Sequence, residues 1–455
     1  LFGGPILNMS FSASFLDRDK NLTHIFLTSD DKYRLFTPLG NFPPELIEAV
    51  LLQEDQYFYQ HFGINPGAIL RSAKDTWIIK KRRYGASTIT MQVARMKYKI
   101  QTRSIPGKIE QIFKALYLEA RFSKQEILEA YLNLAPMGGN LEGFPAGAWF
   151  YFGSDIKDIE TSELLFLTVI PQNPNIRSPK YRKAPAITLE ARSILFDKWI
   201  KKHPEDLLIR PEIQSQPYLD CSFPSIARHY NEMLKKELPH HREAVRTTID
   251  TQKQKLCEYH LKAYLEQNKT FGVSNGSIML VDWTSMEVLA AVGSSNFFDE
   301  SIQGQVNGTI ARRSPGSTLK PFIYALAVDQ GKIHSETMLK DTPVSFKEYA
   351  PDNYKGEYRG PLHAWDALVD SRNIPAVFLA TQISNPDLYD TLNRAGIHNL
   401  KNRDHYGLSI VLGSAEVTMF ELVQLYGSLV HQGTIMPIAT IVDKNYSGNN
   451  SLNKV

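Results

Sequence analysis

The stretch from Glu54 to Gln92 constrains this chain more than any other. It opens Glu54-Asp55-Gln56-Tyr57-Phe58-Tyr59-Gln60-His61-Phe62-Gly63 and closes Gly85-Ala86-Ser87-Thr88-Ile89-Thr90-Met91-Gln92. Asn41 and Pro43-Pro44-Glu45 predict the entry to a helix carrying Leu46, Ala49, Val50 and Leu52, so Glu54 falls at its far end. A carboxyl set there, among Leu51, Leu52, Tyr57 and Phe58, loses water and faces the negative helix terminus. Both effects disfavour the charged form and raise the pKa toward the range of a working general base.

The closing half predicts an anion site. Ser87 or Thr88 is a natural N-cap for a helix through Gln92, Val93 and Met96, whose first N–H groups face the Gly85 turn. From Arg71 to Lys108 there are eleven Lys and Arg against one acid, Asp75. Such a field suits a phosphate-rich ligand or an anionic membrane surface. Trp77-Ile78-Ile79 before Lys80-Lys81-Arg82-Arg83 reads as an apolar patch with a cationic rim, or as a core Trp beside a solvated turn. Nucleic acid is not expected, because the basic stretch lacks aromatic interleaving on strands.

The pattern Glu-Asp-x-x-Phe-x-x-His-x-Gly, followed by Gly-x-Ser-Thr-Ile-Thr-x-Gln, resembles the peptidoglycan glycosyltransferases of family 51. These are the polymerising half of class A penicillin-binding proteins. The likeness continues in Lys124-Gln125-Glu126-Ile127-Leu128-Glu129-Ala130-Tyr131-Leu132-Asn133 and in Gly138-Gly139-Asn140-Leu141-Glu142-Gly143. Ala135-Pro136-Met137-Gly138-Gly139-Asn140 is most similar to the 1C-type branch. Several ordered motifs over about 170 residues are far more specific than one short match.

A second constellation lies downstream. Arg313-Ser314-Pro315-Gly316-Ser317-Thr318-Leu319-Lys320-Pro321-Phe322 carries Ser-x-x-Lys, and on a helix i and i+3 share a face, so the amine can reach the hydroxyl. A desolvated Lys loses its proton more easily and can serve as base. Ser371-Arg372-Asn373 follows Lys320 by 51 residues. This order resembles the penicillin-binding transpeptidases, which implies Ser317 as acyl nucleophile, Lys320 as base, and Ser371 and Asn373 as the second wall. Asp352-Asn353-Tyr354, Tyr406-Gly407-Leu408-Ser409 and Leu412-Gly413 extend the likeness.

At 455 residues the chain has room for two or three domains, and 43% hydrophobic with 22% charged residues is ordinary for a globular protein. The expected architecture is a small β element over 1–40, a mainly α, lysozyme-like glycosyltransferase domain over 41–205, a linker region over 206–274, and an α/β transpeptidase domain over 275–455. Ser123-Lys124-Gln125-Glu126 is a capping box, and Ser277–Val281 with Val288–Val292 reads as a β-hairpin. The net charge of +3 makes the basic surface local. No apolar run reaches a membrane span. The resemblance therefore implies an N-terminal anchor left out of this sequence and a place on the periplasmic face of the bacterial inner membrane. Cys221 and Cys257 suit either a bridge or two thiols.

Two positions depart from the family pattern. No Lys-Thr/Ser-Gly follows Asn373, so the transpeptidase is expected to be cut short at its C-terminus and poorly competent for acylation as it stands. In Lys108-Ile109-Glu110-Gln111 the family has a second glutamate where Gln111 stands. Gln hydrogen-bonds a phosphate or sugar but cannot ionise. Helical geometry sets Gln111 opposite Ile109, Ile112, Phe113 and Leu116, free to face the cleft.

The resemblance implies that Glu54 deprotonates the 4-hydroxyl of lipid II, which displaces undecaprenyl pyrophosphate from the growing glycan strand. Asp55, Lys81, Ser87, Thr88, Gln92, Arg95, Arg103, Lys108 and Gln111 are the expected substrate contacts. No cofactor is required; the family allows a divalent cation (Mg2+ or Mn2+) at the pyrophosphate. Peptidoglycan stem peptides, beta-lactams and moenomycin-type inhibitors are the other implied ligands. A lysozyme-like hydrolase and a lipid II-binding scaffold without turnover are the alternatives.

Overall fold

The computed structural model describes residues 5–65, 67, 87–238, 243–346, 349–442 and 453–454. Lys81 and the Trp77 patch with its basic rim lie outside the described residues. Two compact units emerge, Leu1–Ile226 with Leu234–Arg246, and Ala227–Met233 with Thr247–Val455.

The first unit is mainly helical. Short strands β1 (Ser14–Leu16) and β2 (Leu22–Ile25) pair antiparallel, and β3 (Tyr33–Arg34) follows. Helix α1 (Pro44–Glu54) begins where the proline signal places it, with Pro44 in its first turn, and ends on Glu54. Helices α2 (Ile89–Tyr98), α3 (Ile105–Arg121) and α4 (Lys124–Leu134) come next. The capping box at Ser123 forms: its hydroxyl accepts from Glu126 N, and the Glu126 carboxylate accepts from Ser123 N at 2.8 Å. Strands β4 (Pro136–Gly138) and β5 (Leu141–Glu142) pair antiparallel, and β5 runs parallel to β3. Helices α5 (Phe144–Phe152), α6 (Thr161–Val169) and α7 (Ala186–Trp199) complete the bundle. Leu46, Ala49 and Val50 of α1 join Leu164–Leu167 of α6 and Leu195, Phe196 and Trp199 of α7 in one core.

Helix α3 departs from the usual inside-out order. Its core-facing side is Gly107, Gln111, Ala115 and Leu118, so a glutamine is buried there. Ile105, Ile109, Phe113 and Tyr117, spaced by four, are 79%, 50%, 68% and 38% exposed and form an apolar stripe on the outside.

The stretch expected as a linker carries helices at Arg210–Gln214 and Arg228–Glu237, then strand β6 (Val245–Arg246), which pairs parallel with β1. In the second unit, α8 (Thr251–Gln267) packs on the antiparallel hairpin β7 (Ile278–Val281) and β8 (Val288–Val292). Helix α9 (Lys320–Asp329) follows a 3-10 turn at Gly316–Leu319. Strands β9 (Met338–Asp341) and β10 (Gly360–His363) pair antiparallel, and α10 (Asn373–Gln382) and α11 (Met419–Val430) complete the part that forms the site. Leu319, Ile323, Val377, Leu379 and Val411 lie at the centre of this core. Cys221 and Cys257 are both free thiols.

Candidate active sites

Glu54 ends α1 beside the start of α2, and three connections lock the two segments together. Asp55, buried, accepts from Ile89 N at 3.0 Å, and both its oxygens lie 3.0 Å from His61 Nε2. Thr88 caps α2, accepting from Met91 N at 3.1 Å and donating to Gly63 O at 2.6 Å. Lys124 holds the same loop, donating to His61 O at 2.8 Å and to Glu119 at 2.7 Å. Gly63 has φ +78°, and a Cβ there would meet Glu119 Cγ at 2.8 Å, which explains the glycine.

This frame presents Glu54 to Gln92, whose Nε2 donates to Glu54 Oε2 at 2.7 Å. Glu54 Oε1 is buried without a hydrogen-bond partner. Burial pushes the carboxyl pKa up, while Gln92, Gln172, Arg177 and Arg95 pull it down and lose. Around it lies an open cleft of about 630 Å³ lined by Ser87, Arg95, Gln111, Gln172, Arg177 and Lys198 among others. Lys108 Nζ donates to Gln111 Oε1 at 2.9 Å and to Ser87 Oγ at 3.4 Å. Burial and the nearby Arg95 lower its pKa.

Several expected contacts are corrected. The Asp55 carboxylate and the Thr88 hydroxyl are spent on the loop and the cap, so they shape the site from behind. Arg103 and Lys108 are both absent from the cleft lining, but Lys108 borders it through its bonds to Ser87 and Gln111. Gln111 reaches the cleft wall, but its amide is occupied at both ends, donating to Met91 O at 2.7 Å and accepting from Lys108. The sequence reading missed Gln172 and Arg177. Arg177 donates to Val169 O at 2.7 Å and to Gln172 Oε1 at 2.9 Å, setting Gln172 against the end of α1. They lie more than 100 residues from Glu54, with no local pattern to mark them. Among the described residues no group of three or more His, Cys, Asp or Glu could hold a metal ion.

In the second unit Lys320 is buried at the first position of α9. Its Nζ donates to Asn373 Oδ1 at 2.6 Å, to Ser371 O at 2.6 Å and to Ser371 Oγ at 3.2 Å. Burial first, then the charge of Arg372, lowers its pKa to about 8. Ser317 sits in the preceding 3-10 turn, exposed, and its hydroxyl makes no hydrogen bond among the described residues. The direct Ser317–Lys320 side-chain hydrogen bond expected from helical spacing is therefore not made, because Ser371 and Asn373 take up the amine.

The turn that carries Ser317 is braced by the segment from Gly413 to Tyr426. Ser314 Oγ donates to Gly413 O at 2.7 Å, Arg313 pairs with Val417 through both backbone groups, and Tyr426 Oη donates to Thr318 O at 2.7 Å. This gives Gly413 a physical role beside Ser317.

Residues 19–198 match the transglycosylase family, and residues 276–454 match the penicillin binding protein transpeptidase domain. The chain is 31% identical over 413 residues to penicillin-binding protein 1C of Escherichia coli (strain K12), covering 90% of this chain and 52% of that protein. To penicillin-binding protein 1B of the same strain it is 27% identical over 468 residues, covering 96% and 54%. The chain thus spans about half the length of these relatives. The crystal structure of penicillin-binding protein 1A from Haemophilus influenzae superposes with a TM-score of 0.50 at 17% identity, over 98% of this chain and 73% of that one, which is a likeness of fold. With a transglycosylase domain followed by a penicillin-binding transpeptidase domain, the chain belongs to the class A penicillin-binding proteins, of the 1C type.

Proposed function

We propose that this chain carries the two active sites of a bifunctional peptidoglycan synthase. In the first, Glu54 takes the proton from the 4-hydroxyl of lipid II. The oxygen attacks the anomeric carbon of the growing glycan strand, and undecaprenyl pyrophosphate leaves. Arg95, Lys108, Arg177 and Ser87 bind the diphosphate charge. The observation that carries this reading is the buried, partnerless Oε1 of Glu54 at the wall of a cleft whose lining includes Arg95, Arg177 and Lys198. Polymerisation of lipid II, inhibited by a moenomycin-type competitor, is the test. Release of fragments from mature peptidoglycan instead would make the protein a hydrolase.

The outer stripe of α3 suits contact with the membrane that holds the lipid tails, on the periplasmic face of the inner membrane. Among the described residues no helix is long and apolar enough to cross a membrane.

In the second site, Ser317 is the acyl nucleophile for stem peptides and beta-lactams. These 455 residues will label weakly with fluorescent penicillin, because they contain no Lys-Thr/Ser-Gly after Asn373 to supply the third wall of the site. Strong labelling that depends on Ser317 contradicts this. Whatever the amplitude, the rate of acylation should rise with pH. Lys320 works only as the free amine, so the rate climbs as pH approaches about 8 and levels off above it. A rate flat between pH 6 and 9, a range of roughly a pKa unit or more on either side, excludes Lys320 as the base.

A further inference from the structure

The middle residue of Ser371-Arg372-Asn373 is bound from behind by a carboxylate outside every motif. Asp341, at the end of β9, is fully buried and accepts from Arg372 Nε at 2.7 Å and Nη2 at 2.6 Å. It also accepts from Asn353 Nδ2 at 2.7 Å and from Arg359 N at 3.1 Å. Arg372 makes a further bond to Glu357 O. Asn353, itself buried, uses its Oδ1 to receive Asn373 N at 2.9 Å. Asn373 Nδ2 donates to Asp352 O at 2.6 Å, which leaves Oδ1 of the same amide to receive Lys320 Nζ. An asparagine side chain can turn over; the bond to Asp352 O fixes the orientation that offers oxygen to the amine.

Ser371 provides a second, independent sign. Its φ is +53°, a left-handed conformation that a serine holds only when its surroundings impose it. In that conformation both its carbonyl and its hydroxyl reach Lys320.

We propose that Asp341 is a positioning residue for the acylation site: through Arg372 and Asn353 it fixes the turn at Ser371–Asn373 so that this turn holds the Lys320 amine. The inference rests on reading Lys320 as the base, yet its test needs no substrate. In the full chain, Lys320 is acetylated by a trace of acetic anhydride and compared by mass spectrometry with exposed lysines such as Lys201. Asp341→Asn should raise relative Lys320 labelling by about five-fold or more, the effect of releasing one charged hydrogen bond. Asn353→Ala, which leaves the Asp341–Arg372 pair intact and so keeps a folded comparison, should do the same. Hydrogen exchange along α9 should stay protected in at least one of the two variants. Labelling within about two-fold of the parent in both, a change smaller than one such bond is worth, overturns the proposal. So does a rise seen only where α9 loses protection, since that is unfolding. Failure of acylation with the labelling response intact would remove the role of Lys320 as base and leave the positioning contact standing.

Discussion

Glu54→Gln lowers the rate of glycan polymerisation from lipid II by about 10²- to 10⁴-fold, the range a positioned general base contributes. The amide keeps the shape of the side chain and can still accept from Gln92 Nε2, now 2.7 Å away, so the loss is one of proton transfer. The fold should survive, and the sign of the pKa shift says so. The folded-state pKa is raised by burial, so the folded protein binds this proton more tightly than the unfolded chain does. Above that pKa the ionised carboxylate weakens folding, and the uncharged amide of the variant removes this penalty. The Tm of the variant at pH 8 should therefore be no lower than that of the parent. The parent rate should also fall on the acid side as Glu54 takes up its proton, at a pH above the usual glutamate range. A variant that polymerises at the parent rate removes Glu54 from the chemistry. One that is inactive with a Tm lowered by more than about 5 °C, roughly 1 kcal/mol or more, shows damage to the fold instead.

Gly413→Ala carries the second large effect, on the other unit. Gly413 has φ +89°, and a Cβ there would lie 2.2 Å from Gly316 N and 2.5 Å from Gly316 Cα. Both are backbone atoms, so no side chain can swing aside. The left-handed conformation adds about 1–2 kcal/mol for any L-residue with a Cβ. Displacement of Gly316 moves Ser317 with it and loosens the Ser314–Gly413 bond. Expected is a loss of about 2–4 kcal/mol in denaturant unfolding, in line with overpacking plus backbone strain. Gly139→Ala is the control: φ is +56° and nothing stands within 4 Å of its Cβ, so only the conformational term of about 1 kcal/mol remains. Equal losses in the two variants would show that the close approach of Gly413 to Gly316 does not matter.

What was legible in the sequence was local. Pro43-Pro44 placed α1 and put Glu54 on its last turn, and Ser123 with Glu126 opened α4, because capping is decided by residues three or four apart. The hairpin of β7 and β8 was readable for the same reason. The role of Thr88 was half-readable: it was one of two N-cap candidates with Ser87, and the structure spends its hydroxyl on Met91 N and Gly63 O. Arg177 and Gln172 were not readable, since they approach Glu54 only through the packing of α1 on α6 and α7.

By itself, then, the sequence determined which residues could perform chemistry, the helix ends that present them, and the order of the two units. Tertiary structure alone decided which face of α3 is buried, since its apolar stripe and its Gln111 face satisfy the same 3.6-residue period. It also decided where Lys320 sends its amine. Spacing of i and i+3 allows a partner at Ser317, but the partners the amine finds in space are Ser371 and Asn373, on the turn whose Arg372 donates to the buried Asp341 of β9. A hydrogen bond depends on distance and direction in space, and neither is written in separation along the chain.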